Sequence, residues 1–407
     1  MDGTARLLIG GRALRGFVDG SVAVLLPAYL LALGHGSLAV GLIGSLTLLG
    51  SALATVAVGT WGHHATARAL LLAAALLMAA TGLGFAAFSS LVPLALVAFL
   101  GTLNPGAGDV SVFLPLEHAE LAGRAQGSAG RTSLFARYSL AGSLSAAAGA
   151  LCVGVPGWLA GRVGWQEVDA LRAVFALYAV IGLAIWQLYR RLPQRQHSVP
   201  ATASVLAAPA EHSPASLGPS RPIVVKLAAL FAVDSFAGGL VVNSLLSLWL
   251  MQRFDLSLAA TGVFFFWTGL LSAASQLAAP WLARRIGLLN TMVFTHIPAN
   301  LCLLAAALAP TLPAALALLL VRALLSQMDV PTRTAYVMSV VTPAERAAAA
   351  SFTSVPRSLA SAASPALGGA LFAAGWLAAP LLLCGLLKIG YDLVLWRACR
   401  LQALRDD

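Results

Sequence analysis

Apolar residues run along this chain in long blocks, and polar residues collect in the gaps between them. Twelve blocks are of about 20 residues, the length that carries a helix across a bilayer. They fall at Ala13–Leu33, Leu38–Trp61, Ala69–Phe88, Leu91–Leu116, Ser133–Val155, Leu171–Leu188, Ile223–Leu250, Ala259–Leu282, Leu288–Leu308, Leu312–Val337, Ala347–Ala373 and Leu377–Trp396. None shows the period-two alternation of a membrane barrel. The pattern predicts an all-α polytopic membrane protein of twelve transmembrane helices.

One gap is unlike the others. Residues 192–221 are rich in Pro, Ser and Ala, carry charges and have no apolar period, which is the composition of a flexible linker. It divides the chain into two six-helix bundles, 1–191 and 222–407. The second echoes the first. Asp109-Val110, Arg137 and Gly149-Ala150-Leu151 return as Asp329-Val330, Arg357 and Gly369-Ala370-Leu371, all at an offset of 220 residues. Ser37-Leu38-Ala39 returns as Ser257-Leu258-Ala259, and Phe17-Val18-Asp19 returns with a small shift in Phe231-Ala232-Val233-Asp234. Sibling halves with buried charge are the plan of a transporter assembled from repeats.

Composition agrees: 59% of the 407 residues are hydrophobic and 10% are charged, far from a soluble chain. The net charge of +10 does not imply nucleic acid, because its distribution is topological. Arg6, Arg12 and Arg15 open the first span, and Arg68, Arg124, Arg131, Arg190, Arg191, Arg195 and Arg221 follow the second, fourth and sixth. Arg284, Arg285, Arg346, Arg397, Arg400 and Arg405 continue the series, whereas the alternate loops hold little beyond Arg162 and Arg253. The positive-inside rule then places both termini in the cytoplasm. Three arginines and Asp19 interrupt the first apolar stretch, so no cleavable signal is evident and the first span should be retained. Four cysteines without CxxC spacing, and a His63-His64 pair without thiol or carboxylate company, call for no metal or cofactor.

Charges inside the spans are the candidate chemistry, because each costs roughly 2.5–3.5 kcal/mol even on the lenient insertion scale. Arg12, Arg15 and Asp19 share one face of the first helix, and Arg15 stands four residues before Asp19. Arg322, Ser326, Asp329, Arg333 and Tyr336 make a polar stripe along the tenth, which must face protein or water. Asp234 lies near mid-membrane with no partner in its own helix, and is the favoured proton carrier. Asp109 with Arg137, and Asp329 with Arg357, match in depth and are expected to pair as gate salt bridges. Asn104-Pro105-Gly106 should break the fourth helix. Asn243, Ser244, Ser247 and Gln327 can offer neutral hydrogen bonds to a solute or to other helices. Lys388 and Asp392, four residues apart, read as a self-neutralising pair, His296 as a structural residue of a peripheral helix, and Glu117-His118-Ala119-Glu120 as a solvated helix end.

Two six-helix halves and a long central loop resemble the major facilitator superfamily. Gly59-Thr60-Trp61-Gly62-His63-His64-Ala65-Thr66-Ala67-Arg68 is similar to its loop signature, and Pro280-Trp281-Leu282-Ala283-Arg284-Arg285-Ile286-Gly287 to the counterpart in the second half. His63 and Arg284 stand where that family usually has aspartate. The resemblance implies a central cavity lined by helices one, four, seven and ten, and each of these holds one aspartate: Asp19, Asp109, Asp234 and Asp329. It implies a monomeric secondary transporter of a small solute, proton-coupled, with export preferred, rocking about that cavity. No P-loop is present to use ATP. An intramembrane enzyme or lipid-handling protein and a non-transporting sensor are the rival classes, but no nucleophile–base or metal constellation is legible.

Overall fold

The computed structural model describes residues 3–106, 111–122, 127–193, 218–342 and 345–406. Its helices are α1 (Gly3–Ala32), α2 (Ser37–Trp61), α3 (Ala67–Ala87), α4 (Leu91–Leu100), α5 (Phe113–Ala122), α6 (Gly127–Leu151), α7 (Val155–Val163) and α8 (Glu167–Tyr189). The second half follows with α9 (Arg221–Gly239), α10 (Asn243–Phe254), α11 (Leu258–Ile286), α12 (Leu288–Leu308), α13 (Leu312–Ser326), α14 (Asp329–Val340), α15 (Arg346–Ala373) and α16 (Ala379–Asp406). They make twelve spans, because α4 with α5, α9 with α10 and α13 with α14 are halves of broken ones, while α7 continues α6 through a short 3-10 turn.

Local chemistry explains the breaks. Pro105 supplies no N–H to a helix, and the Asn104 side-chain oxygen accepts the Gly106 N–H at 3.2 Å, a turn that competes with helical pairing. The seventh span breaks after the Gly238-Gly239 pair and the tenth at Gln327-Met328, where Pro331 in the first turn of α14 has no N–H to offer the Gln327 carbonyl. Two helix starts are capped by a hydroxyl: Thr66 accepts from the Ala69 N–H and Ser257 from the Ala260 N–H.

Each half repeats one arrangement. α1 packs along α6 as α9 packs along α15, and α3 lies on α8 as α12 lies on α16. Contact is close enough to exclude side chains: a Cβ on Gly16 or Gly20 would strike the α6 backbone at Gly142 or Ala146, and one on Gly239 would strike Ser361 and Ser364 of α15. Large apolar side chains such as Val92, Leu308 and Trp376 point outward, 79%, 67% and 65% exposed. A water-facing protein would bury them, whereas lipid accepts them. The chain is an integral membrane protein.

The halves meet through α2 on α15 and α6 on α11. Gly41 abuts Pro365 and Gly369, Gly262 abuts Ala150, and Gly154 abuts Ala259. Ser45 Oγ accepts the Ala366 N–H at 2.8 Å, Ser247 Oγ donates to the Val24 carbonyl at 2.9 Å, and the Ser244 N–H donates to the Pro105 carbonyl at 3.1 Å. These approaches fall toward the end of the bundle remote from the chain termini. Closer to the terminal end, an apolar crevice of about 210 Å³ lies between Ala52, Leu53 and Val56 of α2 and Val355, Ser358 and Leu359 of α15.

Candidate functional site in two buried charge clusters

In the first half, α1 brings Arg12, Arg15 and Asp19 into the bundle, each less than 9% exposed. Arg15 reaches α5, where Nη1 and Nη2 donate to the two carboxylate oxygens of Glu117 at 2.7 and 2.8 Å. Parallel bonds of this kind are the strongest pairing a guanidinium makes. The hydroxyl of Tyr138 on α6 donates to the same carboxylate, as does that of Tyr189 at the end of α8. The Phe113 ring centroid lies 4.3 Å from the guanidinium carbon of Arg15. Arg12 lies against Gly142, with its guanidinium 5.5 Å from the Tyr138 ring. Asp19 sits farther along α1, where Tyr178 Oη approaches it at 3.4 Å while lying 3.1 Å from the Thr102 carbonyl.

Two expectations change here. Arg15 pairs with Glu117 rather than with Asp19 four residues on, because the bidentate geometry is available only across helices. Glu117, read from its neighbours as solvated, is fully buried. Its partner lies 102 residues away, so no local spacing could announce it. Asp109 lies outside the described residues, as does any pairing it makes with Arg137, whose side chain is exposed.

In the second half, Asp234 of α9 is the hub. Lys388 Nζ of α16 lies 2.6 Å from Oδ1, and Arg333 Nη2 of α14 lies 2.8 Å from Oδ2. Arg333 also pairs with Asp329, one turn earlier on α14. His296 of α12 places Nδ1 at 2.9 and 3.1 Å from the two oxygens of Asp392. Its other nitrogen, Nε2, faces Asp234 Oδ1 at 4.0 Å. Arg357 Nε donates to Ser235 Oγ at 3.2 Å. Asp234, His296, Asp329, Arg333, Lys388 and Asp392 are all buried.

Three more expectations are corrected. Asp329 pairs with Arg333 and not with Arg357, because the break at Gln327-Met328 starts α14 at Asp329 and sets its carboxylate one turn below Arg333. Lys388 and Asp392 do not neutralise one another: Lys388 turns to Asp234, and Asp392 turns to His296. His296, read as structural, belongs to the charge cluster. Asp234, read as having no partner in its own helix, takes its partners from α14 and α16.

Other predicted residues are more scattered. Asn104 is buried in the fourth-span break, and Asn243 opens α10 beside Ser244, whose N–H crosses to the first half. Gln327 caps the end of α13. Arg322 lies beside Cys302 and Cys384, with its Nε unbonded. Tyr336 packs on the apolar group that includes Leu227, Phe231 and Leu395. The tenth-helix stripe is therefore divided by the break.

Two bundles of six spans, each with charge in its core and sealed together at one end, match a known architecture. The sequence profile of the Major Facilitator Superfamily matches residues 8–327. The chain belongs to the Major Facilitator Superfamily. It is 24% identical over 381 residues to an uncharacterized membrane protein, YJR124C, of Saccharomyces cerevisiae, an alignment covering 88% of this chain and 85% of that protein. Among solved structures, it is similar to a bacterial homolog of the human lysosomal transporter Spinster in an inward-facing and occupied conformation, with a TM-score of 0.73, 14% identity and coverage of 98% and 96% of the two chains. A D-xylose-proton symporter gives a TM-score of 0.72 at 16% identity, covering 97% of this chain and 96% of that one. At such identities the solved structures speak for the fold alone. Membership makes the protein a transporter of the superfamily and not an enzyme, on a twelve-helix frame.

Proposed function

We propose that this protein moves a small solute across a bacterial plasma membrane by alternating access, with proton exchange in the second half as the driving step. Residues 1–191 and 222–407 rock against one another, joined by residues 192–221, with both termini in the cytoplasm. The observation that carries the reading is the one-sided seal. The close approaches between halves lie remote from the termini, and the Arg15–Glu117 and Arg333–Asp234 pairs stand in the separate halves beyond it. With cytoplasmic termini this is the inward-facing arm of the cycle. Arg12, Arg15, Asp19 and Asn104 from the first half, and Asn243, Arg322, Gln327, Arg333 and Tyr336 with Asp234 from the second, are the proposed cavity side chains, and Asp109, Arg137, Asp329 and Arg357 the gate groups.

Asp234 is the hub of the coupling because two cations must leave it before it can change partners. Arg357, held by a serine hydroxyl rather than a carboxylate, favours a solute with an anionic or zwitterionic group. A panel of such solutes in sealed vesicles under an imposed pH gradient tests the reading. Wild type should accumulate one of them, and Asp234→Asn should lose gradient-driven accumulation. A neutral variant that accumulates as wild type does removes Asp234 from the coupling. A wild type that moves no solute removes the transport reading.

A further inference from the structure

Asp19 stands outside the Arg15–Glu117 knot. It is 4% exposed, and what touches it is a hydroxyl, Tyr178 Oη at 3.4 Å, longer than a good O–H···O bond. Arg15, one turn back on α1, spends its terminal nitrogens on Glu117. A carboxylate in the membrane interior without a counter-charge is costly, so such a group is paired with a cation or protonated. The company Asp19 keeps decides between the two. A proton needs one acceptor, whereas a metal cation needs a shell of oxygens.

Such a shell is assembled from three elements. Tyr178 Oη of α8 lies 3.1 Å from the Thr102 carbonyl, 3.3 Å from Thr102 Oγ1 and 3.4 Å from Asp19 Oδ1. A phenol has one O–H to give, so it cannot serve both the carbonyl and the carboxylate. The break in the fourth span supplies the carbonyl. In an unbroken helix the Thr102 oxygen would accept the Gly106 N–H, but that N–H goes to the Asn104 side chain. Carbonyls unwound from a membrane helix are ready ligands for alkali cations. The Thr102 N–H donates to Thr81 Oγ1 at 3.2 Å, which fixes the residue in place. Sodium has nearly the radius of calcium, whose oxygens bind at about 2.3–2.6 Å and so stand roughly 3.2–3.7 Å apart when at right angles. The spacing around Tyr178 is of that order. An all-oxygen shell suits a hard cation, and a single carboxylate balances a single positive charge.

We propose that Asp19, Thr102 and Tyr178 form a binding site for a sodium-sized monovalent cation. The Thr102 carbonyl, Thr102 Oγ1, Tyr178 Oη and Asp19 Oδ1 are its ligands. No covalent bond changes, because each hydroxyl offers a lone pair and keeps its proton. The ion ties α1, α8 and the fourth-span break together. That break also carries Pro105, whose carbonyl accepts the Ser244 N–H of the second half at 3.1 Å. Three residues separate the ligand from this crossing bond, so a filled site orders the turn that the crossing bond needs. Sodium therefore favours the arrangement described, closed at the end remote from the termini. The site lies in the first half and goes beyond the proton exchange assigned to the second.

The test uses the full-length protein in detergent, with radioactive sodium binding and thermal unfolding measured as sodium replaces choline at constant ionic strength. Wild type should bind one sodium ion per chain and unfold at a higher temperature in sodium than in choline or potassium. Asp19→Asn should lose both responses. Tyr178→Phe, which keeps the ring, should raise the half-saturating sodium concentration by about two- to tenfold, the worth of one ordinary polar contact. This second variant carries the test if the first does not fold. Amide exchange at Ser244 should slow in sodium in the wild type, and an unchanged rate overturns the link to the crossing bond. A wild type indifferent to sodium, or variants that respond as wild type does, overturns the site and leaves Asp19 holding a proton. Equal stabilisation by potassium overturns the assigned ion size. Sodium binding in a protein that moves no solute would leave the site standing and sink the transport reading instead.

Discussion

The two charge clusters occupy sibling bundles yet are built in opposite ways. Around Glu117 the donors converge: a bidentate arginine and two tyrosine hydroxyls meet on a single carboxylate, and Arg15 Nη2 also lies 3.3 Å from the Tyr138 hydroxyl within the same knot. Around Asp234 the donors have choices. Arg333 divides itself between Asp234 and Asp329, Lys388 stands between Asp234 and Asp392, and His296 touches two acids. A convergent knot has one low-energy arrangement, whereas a chain of alternating charges has several that differ by a side-chain rotation. The first half is therefore the fixed jaw of the molecule and the second is the one that can rearrange.

This contrast can be broken by substitution. The largest effect is expected from Glu117→Ala, which removes the bidentate partner of Arg15 and the shared acceptor of two tyrosine hydroxyls from a buried site. Loss of one partner of a buried pair costs about 3–5 kcal/mol, and thermal unfolding followed in detergent should show the drop. Asp329→Asn should cost less, about 1.5–3 kcal/mol, because Arg333 falls back on Asp234. Equal losses in these two variants would abolish the distinction between knot and chain. Tyr189→Phe removes one hydroxyl and leaves the arginine and Tyr138 in place, so the same assay should register about 1.5 kcal/mol.

The smallest effect is expected outside the membrane. Glu345, before α15, accepts from the Gly218 N–H and from the Thr342 hydroxyl, and so ties the end of the central linker to the α14–α15 loop. Hydrogen bonds from Ser220, Thr342 and the Gly218 backbone hold its carboxyl below its ordinary 4.5. A lowered value means that the tie is complete above that ordinary value and is lost as the pH falls through the lowered one. Amide exchange at Gly218 should accelerate in that acid window in the wild type and at neutral pH in Glu345→Gln. A Gly218 amide indifferent to both would show the tie to be idle.

Span number and the two-fold repeat were legible in the sequence because each is written in apolar block length and composition, which lipid enforces without reference to distant residues. Partnerships were not. Asp234 and Arg333 were both recognised as buried charges, yet nothing along the chain links positions 99 residues apart. Glu117 and His296 escaped for a related reason. Their immediate neighbours are those of a solvated helix end and of a packed peripheral helix, and only the fold brings tyrosines to one and aspartates to the other. The break at Pro105 could be read from its proline and glycine, and that at Gln327-Met328 is marked by Pro331 one turn on, although the apolar block reads as one continuous span. Local spacing misled at Arg15–Asp19 and at Lys388–Asp392, where neighbours on one helix face prefer partners across the bundle.

The bond from the Ser244 N–H to the Pro105 carbonyl joins the halves main chain to main chain. Side-chain replacement leaves such a bond largely intact, so the side chains around it can be rewritten residue by residue without unfastening the clasp. A typical backbone hydrogen bond contributes about 0.5–1.5 kcal/mol, enough to tilt a population about two- to tenfold. Conformational bias and solute choice are in this way recorded in different parts of the polymer, and selection can tune either one while leaving the other alone.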